Sequence, residues 1–203
     1  TVTYTFRLRS ARWSDGQSVT AGDFVYAWQR LADPARGSRY ADLLSVVSGY
    51  QEARATGDMS LLQVTARNDS TLVVVLDGHY DWFLKEVCTS PATMPLREDV
   101  VRRLKAASGS QSWWKGDPTQ LVTNGPYTLA ALEEGRLFRL ERNDRYYGSL
   151  PGPQSVDFHF AGSAEESWSL YESKTVDSAW PMPDQRLEEL AQDPEWTPLP
   201  ELS

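Results

Sequence analysis

The stretch from Val2 to Pro34 constrains the fold most, because it writes a strand, a turn and a helix in order with a signal at each boundary. Val2, Tyr4, Phe6 and Leu8 alternate with polar residues, the period of a strand with one buried face. Ser14-Asp15-Gly16 is turn chemistry, with glycine free to take a positive φ. Thr20 is suited to cap a helix, and Asp23 stands three residues on, where a capping box carries an acid. Phe24, Val25, Trp28 and Leu31 follow at helical spacing, and the helix stops near Asp33-Pro34, since proline cannot continue the hydrogen-bond ladder.

Further along, a second helical stretch is expected from Arg39 to Ala55, with Leu43, Leu44, Val47 and Tyr50 on its apolar side. Val64 to Leu76 reads as a hairpin turning at Asn68-Asp69-Ser70. A short helix capped near Asp81 follows, then "TSPATMPL" as an extended crossing segment, then a helix from Arg97 to Ala107 and a loop, "SGSQSWWKGDP". Tyr127–Glu133 and Leu137–Arg142 form a second hairpin around Glu134-Gly135. The strand "SVDFHFAG" places Val156, Phe158 and Phe160 on one face. Ser163 with Glu166 caps a helix, "TVDSAW" reads as a short strand, and the last helix, "DQRLEELAQD", turns Leu187 and Leu190 to the core. Strands and helices mix without regular βαβ alternation, so the fold class is mixed α/β.

Chemistry is conspicuous by what is missing. The 28 acidic against 20 basic residues, a net charge of -8, argue against a nucleic-acid partner. No apolar run approaches the roughly 18 residues that a membrane span needs. His79 and His159 lie in a loop and in an alternating strand, and neither stands near a nucleophile in a recognisable motif. The one cysteine, Cys88, cannot close an internal disulfide, and no metal-ligand spacing, phosphate-cradling glycine loop or facing carboxylate pair is present. No enzyme and no cofactor is expected. Twenty-three aromatic residues serve either the core or a ligand-lining cleft. The chain opens in mid-strand and ends on "WTPLPELS" with nothing completing it, so it reads as a piece of a longer protein.

Trp13-Ser-Asp-Gly16, Val19-Thr-Ala21 and Asp23-Phe-Val-Tyr-Ala-Trp-Gln-Arg30, after a strand ending in Phe6-Arg-Leu-Arg9, resemble the signature of bacterial extracytoplasmic solute-binding proteins of family 5. "NDSTLVVVL", "SPATMPL", "VTNGPYTL" and "LERNDRYY" are similar to later family segments and keep the family's order. The resemblance implies a periplasmic-binding-protein-like (type II) fragment. Residues 1–98 would be most of a small accessory domain and 99–203 the central part of the first main lobe, with the second lobe starting past Ser203. The hairpin 127–142 would be scaffold beneath a cleft.

The resemblance also implies the function. This would be the substrate-binding component of an ABC peptide importer, enclosing an extended oligopeptide between lobes and delivering it to the permease subunits. Such a protein is extracytoplasmic and a monomer, associated with the membrane only through the permease or a lipid anchor outside this fragment. The ligand residues it implies are Tyr40, in the loop after the first helix, and Ala179, Trp180, Pro181 and Met182, after a segment resembling Ser-Gly-Glu-Ile-Asp. Lys174-Thr175 replaces Gly-Glu in that segment, and Tyr147 stands where tryptophan is usual. The aspartate that meets the peptide amino terminus in the family belongs to the other lobe, so the fragment alone is expected to bind weakly. The same scaffold with nickel, haem or a sugar-like solute, or a peptide-sensing role without transport, is the alternative.

Overall fold

The computed structural model describes residues 1–109, 114 and 117–192. The contacts divide the chain into two compact units, residues 1–128 with 142–152 and residues 129–141 with 153–203.

The first unit is built on an antiparallel sheet ordered β1-β3-β2, with β1 at Val2–Arg7, β2 at Val64–Asn68 and β3 at Thr71–Leu76. Tyr4 lies opposite Val74 and Phe6 opposite Leu72, so the alternation in β1 turns its apolar set onto the buried side chains of β3. Helix α1, Ala21–Ala32, covers this face with Ala27, Trp28, Leu31 and Ala32. Phe83 fills the middle, its ring 5.0 Å from that of Tyr4 and 6.4 Å from that of Trp28.

The capping box at α1 forms as expected. The Thr20 N–H donates to the Asp23 carboxylate at 2.8 Å, and the same oxygen accepts from the Trp13 indole at 3.2 Å. The Asp69 carbonyl at the β2–β3 turn accepts the Ala21 N–H at 2.8 Å, so the hairpin supplies part of the helix cap. Arg97, almost fully buried, pairs with Asp15 at 3.1 Å and Asp99 at 2.6 Å. The Asp99 carboxyl is held below its usual range, chiefly by the hydrogen bond from Arg97. Helix α3, Glu98–Ser108, follows directly and buries Val100, Val101 and Leu104.

The expected helix from Arg39 to Ala55 does not form. A single 3-10 turn, Ala41–Leu44, is followed by a bridge from Val47 to Leu76 in β3, and only then by helix α2, Tyr50–Thr56. The Ser48 N–H donates to the Val75 carbonyl at 2.9 Å, so the β-branched Val46-Val47 pair joins the end of β3, past its pairing with β2, instead. Gly49 sits at φ +81°, and an added Cβ there would lie 2.9 Å from the Leu61 carbonyl carbon, with the oxygen closer still. Only glycine can make that reversal.

Two neighbouring expectations also change. Phe83–Val87 is a single turn of π-helix that buries Phe83 and Val87, and Asp81 does not cap it. Its carboxylate stands 3.3 Å from His79. "TSPATMPL" contains a 3-10 turn at Pro91–Thr93 rather than being extended throughout, because the Ser90 side chain accepts the Ala92 N–H.

The second unit carries the sheet ordered β4-β5-β6: β4 Tyr127–Glu133, β5 Leu137–Arg142 and β6 Ser155–His159. Strand β4 begins in the first unit. Phe158 lies opposite Phe138 with ring centroids 5.6 Å apart, yet Phe158 and Phe160 stay about half exposed. Helices α4, Ala164–Glu172, and α5, Asp184–Leu190, are the helices of this unit among the described residues. Leu187 is exposed and Leu190 only partly covered, so α5 has no buried face among the described residues, contrary to expectation. Most of the expected loop after Ser108, the end of the last helix and the terminal "WTPLPELS" lie outside the described residues.

Two outcomes follow from the first unit. Asp23→Ala strips the cap of α1 and leaves the buried Trp13 indole without its acceptor, which lowers stability by about 2 kcal/mol in urea unfolding. Burial, and then the hydrogen bond to Asp42, push the Tyr50 hydroxyl up to about 12. A raised phenol pKa leaves the stabilisation intact below the ordinary value of 10 and removes it as pH climbs towards 12. Unfolding curves of Tyr50→Phe compared with the parent show less stability loss across that window in the variant.

Candidate functional site

The segment after α4 is set by how that helix ends. Its start is fixed by Ser163, whose hydroxyl accepts the Glu166 N–H at 3.1 Å, while the Glu166 carboxylate accepts the Gly162 N–H at 2.7 Å. At the other end Lys174 takes the left-handed conformation, φ +58°. The Lys174 N–H bonds to the Tyr171 carbonyl and the Thr175 N–H to the Leu170 carbonyl, both at 2.9 Å. That pair of bonds is a Schellman motif, and its left-handed position is normally glycine. Lys174 stands where the resemblance has glycine, so the turn keeps the glycine geometry without the glycine.

The chain then runs from Thr175 to Pro183 without strand structure. The expected strand "TVDSAW" is absent because no described strand pairs with it, and an unpaired strand is not stable in water. Along this segment Ala179 and Met182 are partly buried, whereas Pro181 is exposed and Trp180 is 89% exposed. The Trp180–Pro181 bond is cis. At that exposure Trp180 offers solvent a large apolar surface with one N–H donor.

Tyr40 occupies a loop of the first unit, after a 3-10 turn at Pro34–Arg36 that closes on Gly37. Its N–H donates to the Ser38 hydroxyl at 3.3 Å, the residue is 54% exposed, and the Arg39 guanidinium stands 5.8 Å from the ring centroid. The next residue, Ala41, is buried, and the exposed Asp42 accepts a hydrogen bond from the Tyr50 hydroxyl at 2.8 Å. The sequence-expected ligand residues thus fall in two sets, Tyr40 in the first unit and Ala179–Met182 in the second.

What these residues can do is bind. Aromatic faces, backbone groups and a methionine offer contact area and hydrogen bonds but no acid, base or nucleophile. Cys88, in the first unit, is pushed up to about 11 by burial, so it stands as a neutral thiol at ordinary pH. His79 stands 3.3 Å from the exposed Asp81 carboxylate, and His159 is an exposed residue at the end of β6. Sequence reasoning missed the left-handed Lys174. The signal was present, since a departure from glycine in a helix-terminal turn asks whether the turn or the residue gives way.

The family described as "Bacterial extracellular solute-binding proteins, family 5 Middle" matches residues 1–198. The dipeptide-binding protein DppE of Bacillus subtilis is 30% identical over 181 residues, covering 88% of this chain and 32% of that protein. A probable deoxycholate-binding periplasmic protein of Escherichia coli, YgiS, is 30% identical over 182 residues, covering 87% of this chain and 32% of that one. Among solved structures, Haemophilus influenzae OppA in complex with RPPGFSPFR aligns with a TM-score of 0.78 at 29% identity, over 93% of this chain and 36% of that one. The chain spans about a third of the length of these relatives.

Replacing Lys174 by glycine removes the left-handed penalty while keeping both turn hydrogen bonds. Lys174→Gly is expected to raise stability by up to about 1 kcal/mol, read as a higher denaturant midpoint with an unchanged slope.

Proposed function

The chain belongs to family 5 of the bacterial extracellular solute-binding proteins, and from that membership we propose that it is part of the substrate-binding component of an ABC peptide importer. The observation that carries the proposal is the fold-level match, over 93% of the chain, to a relative solved with a nonapeptide. In this reading an extended oligopeptide lies between two lobes. Its backbone is met by strand-like hydrogen bonds and its side chains by hydrated pockets. Closure of the lobes then presents a surface to the membrane permease. Residues 1–98 are assigned to the small accessory domain and 99–203 to the central part of the first main lobe. The protein works outside the cytoplasm as a monomer, held to the membrane by the permease or by a lipid anchor.

Tyr40 and the segment Ala179–Met182 are the proposed ligand contacts. Their exposure supports this: Trp180 and Tyr40 are large aromatic side chains left in solvent, the residue types that dominate binding energy at interfaces. A second reading keeps the scaffold and changes the solute, and the similarity to a probable deoxycholate-binding protein favours it.

Native mass spectrometry of the full-length protein, purified without denaturation, separates the two. A ladder of masses fitting short peptides is the expected result, and a single sharp non-peptide mass overturns it. With a bound peptide in hand, Trp180→Ala is expected to weaken binding about ten-fold, roughly 1.4 kcal/mol. An unchanged Kd would remove Trp180 from the site.

A further inference from the structure

Inside the first unit, β1 and the residues that follow it wall a depression of about 310 Å³ that none of the proposed peptide contacts lines. Trp28, Leu72 and Thr93, all buried, form its floor, and Phe6, Phe24 and Cys88 stand around them. The polar atoms of the floor are already used: the Trp28 indole N–H donates to the Thr93 carbonyl at 3.0 Å, and the Thr93 hydroxyl to the Val87 carbonyl at 2.6 Å. The floor therefore offers carbon to a ligand. A peptide backbone laid on it would lose its water without gaining hydrogen bonds.

One rim differs. The Arg9 guanidinium stands 5.2 Å from the centroid of the Tyr147 ring, and both residues line the depression. Among the described residues no carboxylate pairs with Arg9, although the chain carries eight more acidic than basic side chains. The size matches the lower end of small-ligand pockets, roughly 300–1,000 Å³. An apolar floor with two arginines, Arg7 and Arg9, in its lining matches a ligand with an anionic head and an apolar body, and Arg9 is the one placed beside the Tyr147 ring. A neutral apolar ligand would leave the guanidinium unused, whereas a carboxylate or sulfonate gains a charge-assisted bond with two parallel N–H donors.

We propose that this depression is a second binding site, separate from the peptide contacts, for a small anionic amphiphile whose head group sits on Arg9 and whose apolar body lies over Phe24 and Trp28.

Decanoate is the probe and decanol its neutral counterpart, titrated calorimetrically into the full-length protein. Saturable decanoate binding is expected. Arg9→Gln should weaken it about ten-fold or more, as loss of a hydrogen-bonded charge pair does, and leave decanol unchanged. Met94→Trp, at the half-exposed mouth, should block both ligands. Thermal unfolding of each variant at the parent temperature shows that the fold is kept. Absence of saturable decanoate binding, or equal decanoate affinity in Arg9→Gln, overturns the proposal. So does competition between decanoate and a bound peptide, which would put the amphiphile in the peptide cleft. Decanoate binding in a protein that ignores peptides would refute the importer reading and leave this site standing.

Discussion

One carboxylate oxygen, on Asp23, holds the first unit in register. It accepts from the Thr20 backbone, from the Thr20 hydroxyl and from the Trp13 indole, while the Asp23 carbonyl accepts the Leu96 N–H at 3.2 Å. The turn after β1, the start of α1 and the segment leading to α3 therefore meet at one residue. Arg97 fastens the same region electrostatically. A guanidinium that is 7% exposed needs fixed counter-charges, and Asp15 and Asp99 supply them. The two acids come from opposite ends of the region, Asp15 from the turn and Asp99 from the first turn of α3, so Arg97 also ties them together. Apolar packing fills the unit, but these polar ties select which segments may face each other.

The aromatic residues divide the labour. Trp13 and Trp28 are each 3% exposed, and each spends its indole N–H on a named acceptor. Trp180 is at the opposite limit. Composition alone treats these three side chains alike, yet the first two are structural and the third is exposed. Burial raises the pKa of the Cys88 thiol, and both histidines lie at the surface.

Much of the fold was legible in the sequence where local signals agreed with tertiary demands. Strand β1, helix α1 with its cap, the β2–β3 hairpin, α3, the β4–β5 hairpin and α4 all stand where periodicity and capping residues put them. The misses have a common physical form. Leu43, Leu44, Val47 and Tyr50 fit a helical face, but the end of β3 beyond its pairing with β2 took Val47 and Ser48 into the sheet, an event decided by a strand distant in sequence. Leu187 fits a core-facing position on α5, yet nothing among the described residues covers it. The candidate ligand residues came from family resemblance rather than periodicity, because exposure of a tyrosine or tryptophan in a loop has no period to read. The depression beside Arg9 was not legible at all, since its walls come from segments as far apart as Phe6 and Tyr147.

Gly49 bears on how sequences of this kind can change. The carbonyl that a Cβ would strike belongs to Leu61, and it cannot easily retreat: Leu62 beside it is buried, and the Gln63 N–H is tied to the Ser48 carbonyl at 2.9 Å. Every replacement of Gly49, conservative or radical, meets the same obstacle, so substitution matrices that rank alternatives by similarity have nothing to rank here. In a randomised library the position would behave as a binary switch, passing glycine and rejecting every chiral residue. It would do so although it touches neither the proposed peptide contacts nor the depression beside Arg9.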